Sequence, residues 1–353
     1  MAPLTKEEDS AMPIPSTPPP KISKNTIHMA GLLVDVYGLD ELPPSSACPR
    51  ISCLWLHHPR TRSKETMGDI AARCVGAWNS GEKGPRRGLI ALAFDQRNHG
   101  SRLVDSKGNL AWRQGNEMHA QDMYGVISGT VADQGVLLDA VGGYLFHDEQ
   151  PQRGIDHHLA LGVSLGGHSV WQLLFADPRV RAGVAVIGCP DFMYMLSDRA
   201  KKSKLPTFSA QDNGSTFLGS KDFPPSLVNA CRKQDPRGIL FGTSEVTTET
   251  FTKKQHDVLH EKLAGKKILV CSGGSDKLVP YSCSEPFLRW LKEATTARFK
   301  EEKIEVDDRV YEGIGHQFSE EMVADAVRFV VDVVGGADAD NVPGKDEVRS
   351  SKI

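Results

Sequence analysis

The segment that constrains the fold most is the pentapeptide G-V-S-L-G at 162–166. Its first two residues end an apolar run at 159–163. It precedes G-H-S-V-W-Q-L-L-F, which has the pattern of a helix. An apolar strand, a sharp turn and a helix in this order place Ser164 at the tip of the turn. The turn requires glycine at Gly162 and Gly166, because it brings backbone segments so close that larger side chains would collide. The pattern G-x-S-x-G alone is weak evidence, because it also occurs by chance. The predicted strand before it and helix after it make the interpretation specific.

Strand and helix patterns alternate along most of the chain. Strands are predicted at 26–37 (a pair), 51–56, 89–94, 159–163, 182–187, 268–271 and 304–311. Helices are predicted at 66–78, at 118–145 with glycines that divide it, at 286–299 and around 322–331. Such alternation predicts an α/β fold, a doubly wound and mostly parallel sheet covered by helices on both faces.

The length of 353 residues suits one large domain with an insertion. The alternation of strands and helices is interrupted at 191–264 by basic clusters and proline pairs. We interpret this region as an inserted cap over the active site. The ends at 1–25 and 335–353 are rich in proline or polar residues and are predicted to be disordered tails. The folded domain is therefore expected at 26–334.

Composition limits the class of partner that the chain is expected to bind. A net charge of -3 with 25% charged residues gives no reason to expect nucleic acid or a membrane surface. No apolar stretch is long enough to span a bilayer, and the N-terminus lacks the apolar core of a secretory signal. Seven cysteines without a C-x-x-C pair fit reduced thiols in an intracellular compartment. The expected partner is a small molecule, and composition says nothing about the oligomeric state.

A serine hydroxyl becomes a useful nucleophile only beside a base, which a carboxylate holds in the right tautomer. Downstream of Ser164, V-C-S-G-G-S-D-K-L-V-P places Asp276 just after a strand, and G-I-G-H-Q-F places His316 just after the last strand. Catalytic groups of open α/β sheets gather at the carboxyl ends of the strands. Asp307 and Asp308 are weaker candidates for the acid because they fall inside the last strand pattern.

A tetrahedral oxyanion needs two preorganised donors. The N–H of Leu165, directly after the serine, is one candidate. The other is expected after the strand at 51–56, in H-H-P-R-T-R, where Pro59 has no N–H to give. Arg60 is our first choice for this donor and His58 the second.

Other polar residues give weaker indications of function. The turn F-D-Q-R-N-H-G-S-R at 94–102 is interpreted as a polar turn that pins loops near the site, with substrate contact by His99 or Arg102 as the alternative. Five residues of types that can bind metals lack the spacing of a metal site, namely His119, Asp122, His157, His158 and His168. No metal and no cofactor are predicted.

Four segments together resemble the α/β-hydrolase superfamily over about 26–334. They are F-D-Q-R-N-H-G-S, G-V-S-L-G-G, G-S-D-K-L-V-P and G-I-G-H-Q-F. The resemblance implies Ser164 as nucleophile, Asp276 as acid, His316 as base and the Leu165 N–H as an oxyanion donor. H-P-R stands where many members have His-Gly, which leaves the second donor open. Asp95 matches a turn position that is structural in the superfamily.

A narrower resemblance concerns D-Q-R-N-H-G-S-R followed by W-R-Q-G-N-E-M-H-A-Q-D-M. This pair is similar to a group of fungal abhydrolases that includes the hydrolase of AK-toxin biosynthesis. The expected function is therefore a serine hydrolase that cleaves an ester or thioester through an acyl-enzyme, in fungal secondary metabolism. The alternatives are an acyltransferase with the same triad and a ligand-binding protein without turnover.

The last three residues suggest a location. Ser351, Lys352 and Ile353 differ by one conservative change from S-K-L, the address read by the peroxisomal import receptor. The expected location is the peroxisome, with that receptor as a partner, and the cytoplasm is the alternative.

Overall fold

The computed structural model describes residues 11–12, 16–80, 87–151, 153–212 and 214–337. Within these residues the chain forms one eight-stranded sheet. Its strands are β1 (Lys24–Met29), β2 (Leu32–Tyr37), β3 (Arg50–His57), β4 (Arg87–Phe94), β5 (Gly154–Val163), β6 (Val180–Val186), β7 (Lys267–Gly273) and β8 (Glu305–Tyr311). They lie in the order β1-β2-β4-β3-β5-β6-β7-β8.

The sheet is mostly parallel. Only the β1–β2 and β2–β4 pairs among the described strands are antiparallel. The remaining pairs are parallel, so the carboxyl ends of β3, β5, β6, β7 and β8 lie along one edge. This confirms the predicted fold class, a doubly wound α/β sheet, and it places the segments that follow these strands side by side.

The described residues contain nine α-helices. They are α1 (Gly68–Asn79), α2 (His119–Phe146), α3 (Leu165–Ala176), α4 (Phe192–Ser203), α5 (Pro225–Gln234), α6 (Pro236–Phe241), α7 (Lys253–Leu263), α8 (Tyr281–Glu293) and α9 (Glu320–Gly336). Helix α2 runs unbroken for 28 residues despite its glycines, because apolar side chains along its length pack on the core. Helix α8 begins at Tyr281, so Pro286 lies inside the helix and does not start it.

Both faces of the sheet are buried. Along β3, Cys53 and Trp55 belong to a cluster that includes side chains of α2, α3, α7 and α8. Their neighbours Leu54 and Leu56 belong to a second cluster with α1 and α9. Alternating residues of one strand therefore enter two cores, which explains why the central strands are continuous apolar runs.

Four helices, α4 to α7, lie between β6 and β7, in the region predicted as a cap. Phe192 of α4 and Leu227 of α5 join a third apolar cluster with Met123 and Leu165. Helices α6 and α7 instead contribute to the cluster on the sheet, through Leu240 and Leu259 among others. The bounds of the cap at 191–264 stay a prediction.

Of the predicted tails, residues 1–10, 13–15 and 338–353 lie outside the described residues. Within the N-terminal tail predicted at 1–25, Ala11 is buried and β1 begins at Lys24, so the prediction of disorder is wrong at these positions. The tripeptide Ser351, Lys352 and Ile353 lies outside the described residues too, so the peroxisomal location stays a prediction. No helix among the described residues is long and apolar enough to cross a membrane. All seven cysteines are buried, and burial raises the pKa of the Cys74 thiol to about 12.

Several histidines are buried beside the parallel strands. Burial lowers the pKa of His57 to about 3, and the pKa values of His58 and His158 to about 4. Trp55 Nε1–H donates to Nδ1 of His158 at 3.2 Å. These rings are neutral in the native protein at pH values where the unfolded chain would protonate them.

We predict an acid-sensitive fold. A histidine whose native pKa is depressed favours folding fully above its ordinary pKa of about 6.5, and this stability is lost as the pH falls toward about 4, because the unfolded chain then binds more protons. Each such histidine lowers the free energy of unfolding by about 1.4 kcal/mol per pH unit in that window. Urea unfolding between about pH 7 and about pH 5 measures the slope.

The variant pair His158→Gln and His147→Gln tests the assignment, because the His147 side chain is 65% exposed. The slope should decrease in His158→Gln and stay the same in His147→Gln. Equal slopes in both variants and in the parent chain would contradict the argument.

Candidate active site

The turn at 162–166, here called the serine turn, joins β5 to α3. Ser164 has φ 55° and ψ -110°, a conformation that costs energy for any residue with a Cβ atom. Its N–H donates to the Val186 carbonyl at 2.9 Å, and its carbonyl accepts from the His168 N–H at 3.1 Å. The surrounding hydrogen bonds thus fix the strained residue at the carboxyl edge of the sheet.

The glycines of the serine turn are required by backbone contacts. A Cβ atom on Gly162 would lie 2.1 Å from the Gly166 carbonyl oxygen. A Cβ atom on Gly166 would lie 2.1 Å from the carbonyl oxygen of His57, at the end of β3. Neither oxygen is the end of a flexible side chain, so no other residue fits at these two positions without a backbone shift.

The structure brings Ser164, His316 and Asp276 into one hydrogen-bonded chain. Ser164 Oγ lies 2.8 Å from His316 Nε2, and His316 Nδ1 lies 2.8 Å from Asp276 Oδ2. Because a carboxylate only accepts, Nδ1 carries the proton that it donates to Asp276, and Nε2 is left to accept from the serine hydroxyl. Asp276 and His316 are buried, whereas Ser164 is half-buried.

Asp276 is oriented by the loop that follows β7. Its Oδ1 accepts from the N–H groups of Leu278 and Val279, at 2.8 and 2.9 Å. These two bonds leave Oδ2 directed at His316. Asp307 and Asp308, the other candidates for the acid, lie within β8. Asp307 makes an ion pair with Arg309 of the same strand, and Asp308 makes one with Lys292 of α8.

A small pocket opens above the serine turn, with a cavity volume of about 20 Å³. Its described lining combines the serine and base with polar, cationic and apolar neighbours: Ala11, Pro59, Arg60, Met123, Ser164, Leu165, His168, Arg199, Leu278, Val279 and His316. Ala11 accepts a hydrogen bond from the Phe318 N–H at 3.0 Å. A residue near the N-terminus therefore forms part of the pocket wall.

The two candidates for the second oxyanion donor differ in position. Arg60 lines the pocket together with Leu165. His58 is not among the described residues that line it, and its ring is already engaged. Nδ1 of His58 lies 2.8 Å from the Pro59 carbonyl, and Nε2 accepts from the Gln96 N–H at 3.0 Å. Of the two residues, only Arg60 is presented to the pocket.

The turn at 94–102 stabilises the loop that carries Arg60. Asp95 accepts from the Lys64 N–H at 2.9 Å and from the N–H and hydroxyl of Ser101 at 2.9 and 2.8 Å. The Gln96 side chain donates to the His58 carbonyl. His99 and Arg102, considered as substrate contacts, are not among the described residues that line the pocket. The observed role of this turn is to hold the end of β3 in place.

Sequence reasoning missed two polar residues of the pocket wall, His168 and Arg199. A signal for His168 was present, because a residue four positions after Ser164 on a helix lies on the same face. Arg199 lies on α4, far along the chain from the serine turn, and the sequence carries no signal that would bring it there.

One group among the described residues has the composition of a metal site. Ligand atoms of His256, Glu301 and Glu302 lie within 4.8 Å of one another. The group lies near α7 and the amino end of β8, at the edge of the sheet opposite to the serine turn. His256 Nε2 lies 3.0 Å from Glu302 and His260 Nδ1 lies 2.8 Å from it, so direct contacts between these side chains account for the arrangement.

No protein-family model and no curated protein matches the chain. Among solved structures it is similar to TT1662 from Thermus thermophilus, with a TM-score of 0.56 and 19% identity over 89% of this chain and 98% of that one. An esterase/lipase from an uncultured bacterium matches with a TM-score of 0.44 and 12% identity, over 94% of this chain and 89% of that one.

Porphyromonas gingivalis dipeptidyl peptidase 4 matches with a TM-score of 0.49 and 15% identity, over 90% of this chain. The chain spans only 36% of the length of that peptidase. At such identities the similarity concerns the fold alone. The sheet order and the likeness to TT1662 agree that the chain has the α/β-hydrolase fold.

We predict that Gly166→Ala lowers the free energy of unfolding by about 3 kcal/mol, because the added methyl group meets the fixed His57 carbonyl. Gly143→Ala on α2 is the matched control, since nothing lies within 4 Å of its Cβ position. Alanine in a helix should raise stability there by about 0.5 kcal/mol. Urea unfolding of both variants measures the difference, and a neutral Gly166→Ala would contradict the close contact.

Proposed function

We propose that the chain is a serine hydrolase that cleaves a carboxylic ester or thioester. The observation that carries the proposal is the hydrogen-bonded chain from Ser164 through His316 to Asp276, with its serine end at the pocket. A buried carboxylate, an imidazole of fixed tautomer and a hydroxyl on a strained turn are the parts that nucleophilic acyl transfer requires. A role in fungal secondary metabolism is part of the proposal and rests on the motif resemblance alone.

The chemistry follows from the geometry. Ser164 Oγ attacks the carbonyl carbon of the substrate while its proton passes to His316 Nε2, and Asp276 stabilises the imidazolium that forms. When the tetrahedral intermediate collapses, the alcohol or thiol leaves with the proton from His316 and the acyl group remains on Ser164. Water then attacks the acyl-enzyme while one of its protons passes to His316, and His316 gives that proton to Ser164 Oγ as the acid is released.

The oxyanion donors in this proposal are the N–H groups of Leu165 and Arg60. Leu165 is the first residue of α3, so its N–H has no partner within the helix, and the helix dipole favours negative charge at this end. Arg60 lies in the turn closed by the Arg62 N–H on the Pro59 carbonyl at 3.3 Å. Both residues line the pocket beside Ser164.

Two substitutions distinguish the contribution of the Arg60 backbone N–H from that of its side chain. We predict that Arg60→Pro, which removes the N–H, lowers kcat by about 100-fold or more. Arg60→Ala keeps the N–H, so its kcat should stay well above that of Arg60→Pro. Steady-state hydrolysis of a 4-nitrophenyl ester compares the two, with thermal unfolding as a check on folding. Equal kcat values in the two folded variants would remove Arg60 from the oxyanion site.

The nucleophile is tested with a fluorophosphonate probe and intact-mass spectrometry, because this reagent labels activated serines. We expect one adduct on the parent chain, none on Ser164→Ala, and labelling slowed by about 1,000-fold or more in His316→Ala. Ser106→Ala, an exposed serine outside the pocket, should be labelled like the parent.

The outcomes of this experiment also address the alternatives. A folded parent chain without an adduct would overturn the hydrolase proposal and favour a ligand-binding protein. If the adduct forms, product analysis with added alcohol, amine or thiol distinguishes hydrolysis from acyl transfer, since both use the same acyl-enzyme.

A further inference from the structure

Two histidines and two glutamates meet at the edge of the sheet opposite to the serine turn. His256 and His260 of α7 are four residues apart, a spacing that puts both side chains on one face of a helix. Glu301 and Glu302 lie in the turn at 300–302, which precedes β8. Elements that are distant in sequence thus bring imidazole nitrogens and carboxylate oxygens together, and the proposed hydrolysis uses none of them.

The backbone around this group is fixed by contacts of its own. The Gly265 N–H, two residues after the end of α7, donates to the Glu302 carbonyl at 2.7 Å. The ring of Phe299 packs against the ring of His256, with centroids 4.6 Å apart. Helix α7 and the turn before β8 are therefore held together before any ligand binds, which lowers the entropic cost of binding one between them.

The contacts within the group leave the charge of Glu302 unbalanced. Its side chain is 6% exposed, and no lysine or arginine among the described residues forms an ion pair with it. Its Oε2 lies 2.8 Å from His260 Nδ1, which donates because a carboxylate only accepts. Buried carboxylates are stable when they are paired with a cation or coordinate a metal. A hydrogen bond from an imidazole supplies only part of this stabilisation.

His256 contacts the two glutamates at the distances of neighbouring metal ligands. Its Nε2 lies 3.0 Å from Glu302 Oε1 and 3.4 Å from Glu301 Oε1. This nitrogen is nevertheless buried without a hydrogen-bond partner among the described residues, so neither contact is aligned for donation. Ligand atoms about 2.1 Å from a tetrahedral Zn²⁺ lie about 3.4 Å apart and point at the ion rather than at one another. The three ligand atoms, all within 4.8 Å of one another, fit that arrangement.

We propose that His256, Glu301 and Glu302 bind a divalent transition metal, with Zn²⁺ as the best fit, and that His260 orients Glu302 through its hydrogen bond. The inference does not depend on the proposed hydrolase function. One imidazole and two carboxylates suit Zn²⁺, whereas Ca²⁺ and Mg²⁺ prefer oxygen ligands alone. The Glu301 side chain is 64% exposed, which gives the ion a path from solvent. The bound ion ties the last helix before β7 to the turn before β8.

Isothermal titration calorimetry with ZnCl₂ tests the site on the full chain, freed of any affinity tag and of bound metal. We expect one ion per chain. His256→Gln and Glu302→Gln should each weaken binding by about tenfold or more, since even residues that only orient metal ligands contribute about tenfold. CaCl₂ and MgCl₂ should give no heat of binding under the same conditions.

Two control variants make the same chemical changes away from the site. His147→Gln and Glu261→Gln replace side chains that are 65% and 69% exposed, and both should bind Zn²⁺ like the parent chain. Thermal unfolding gives a second measurement. Zn²⁺ at about 100 times its Kd should raise the Tm of the parent by about 3 °C or more and leave that of His256→Gln unchanged. Unfolding in EDTA shows that each variant is folded.

Three results would overturn the proposal. They are a parent chain that binds no Zn²⁺, binding that is equally tight in the folded His256→Gln and Glu302→Gln variants, and Ca²⁺ binding as tight as that of Zn²⁺. None of them bears on the labelling of Ser164, so the metal site and the hydrolase are tested separately.

Discussion

Ser164 keeps its left-handed backbone conformation because three chain segments meet at backbone distance. The end of β3 lies against the start of α3 at Gly166, and the start of α3 lies against β5 at Gly162. These contacts leave no room for adjustment, so the serine stays strained and its hydroxyl points out of the sheet. The same contacts set where α3 begins, and with it the position of the Leu165 N–H and the face on which His168 stands. The arrangement of the site therefore depends on two positions without side chains.

Two buried histidines near the serine turn are neutral, since a charged ring would be costly there. The His58 ring contacts the Pro59 carbonyl and accepts from the Gln96 N–H, and the His168 ring accepts from the Cys189 N–H. Both rings have lowered pKa values because they are buried. A neutral imidazole both donates and accepts, which suits the junction between loops that leave neighbouring strands. The His316 ring has the same two capacities, but one of its partners is the half-buried Ser164.

The sheet and the three residues Ser164, His316 and Asp276 could be predicted from the sequence because each has a local signal. Apolar runs with both faces buried give the parallel strands, and parallel strands bring Asp276 and His316 to one edge. The start of α8 was predicted wrongly at Pro286, since proline is a common first residue of a helix but also fits inside one whose packing holds it. The position of Arg199 depends on how α4 packs over the serine turn, and no periodicity in a single chain specifies such long-range packing.

The complete burial of the seven cysteines has a practical consequence for observing this molecule. A thiol introduced at an exposed loop position such as Val104, which is 92% exposed, would be far more accessible to maleimide reagents than any native one. A fluorophore or spin label could then be attached to this loop without first replacing the native cysteines. Movements of the loop around Arg102 during turnover could be followed in a chain whose core packing is unaltered.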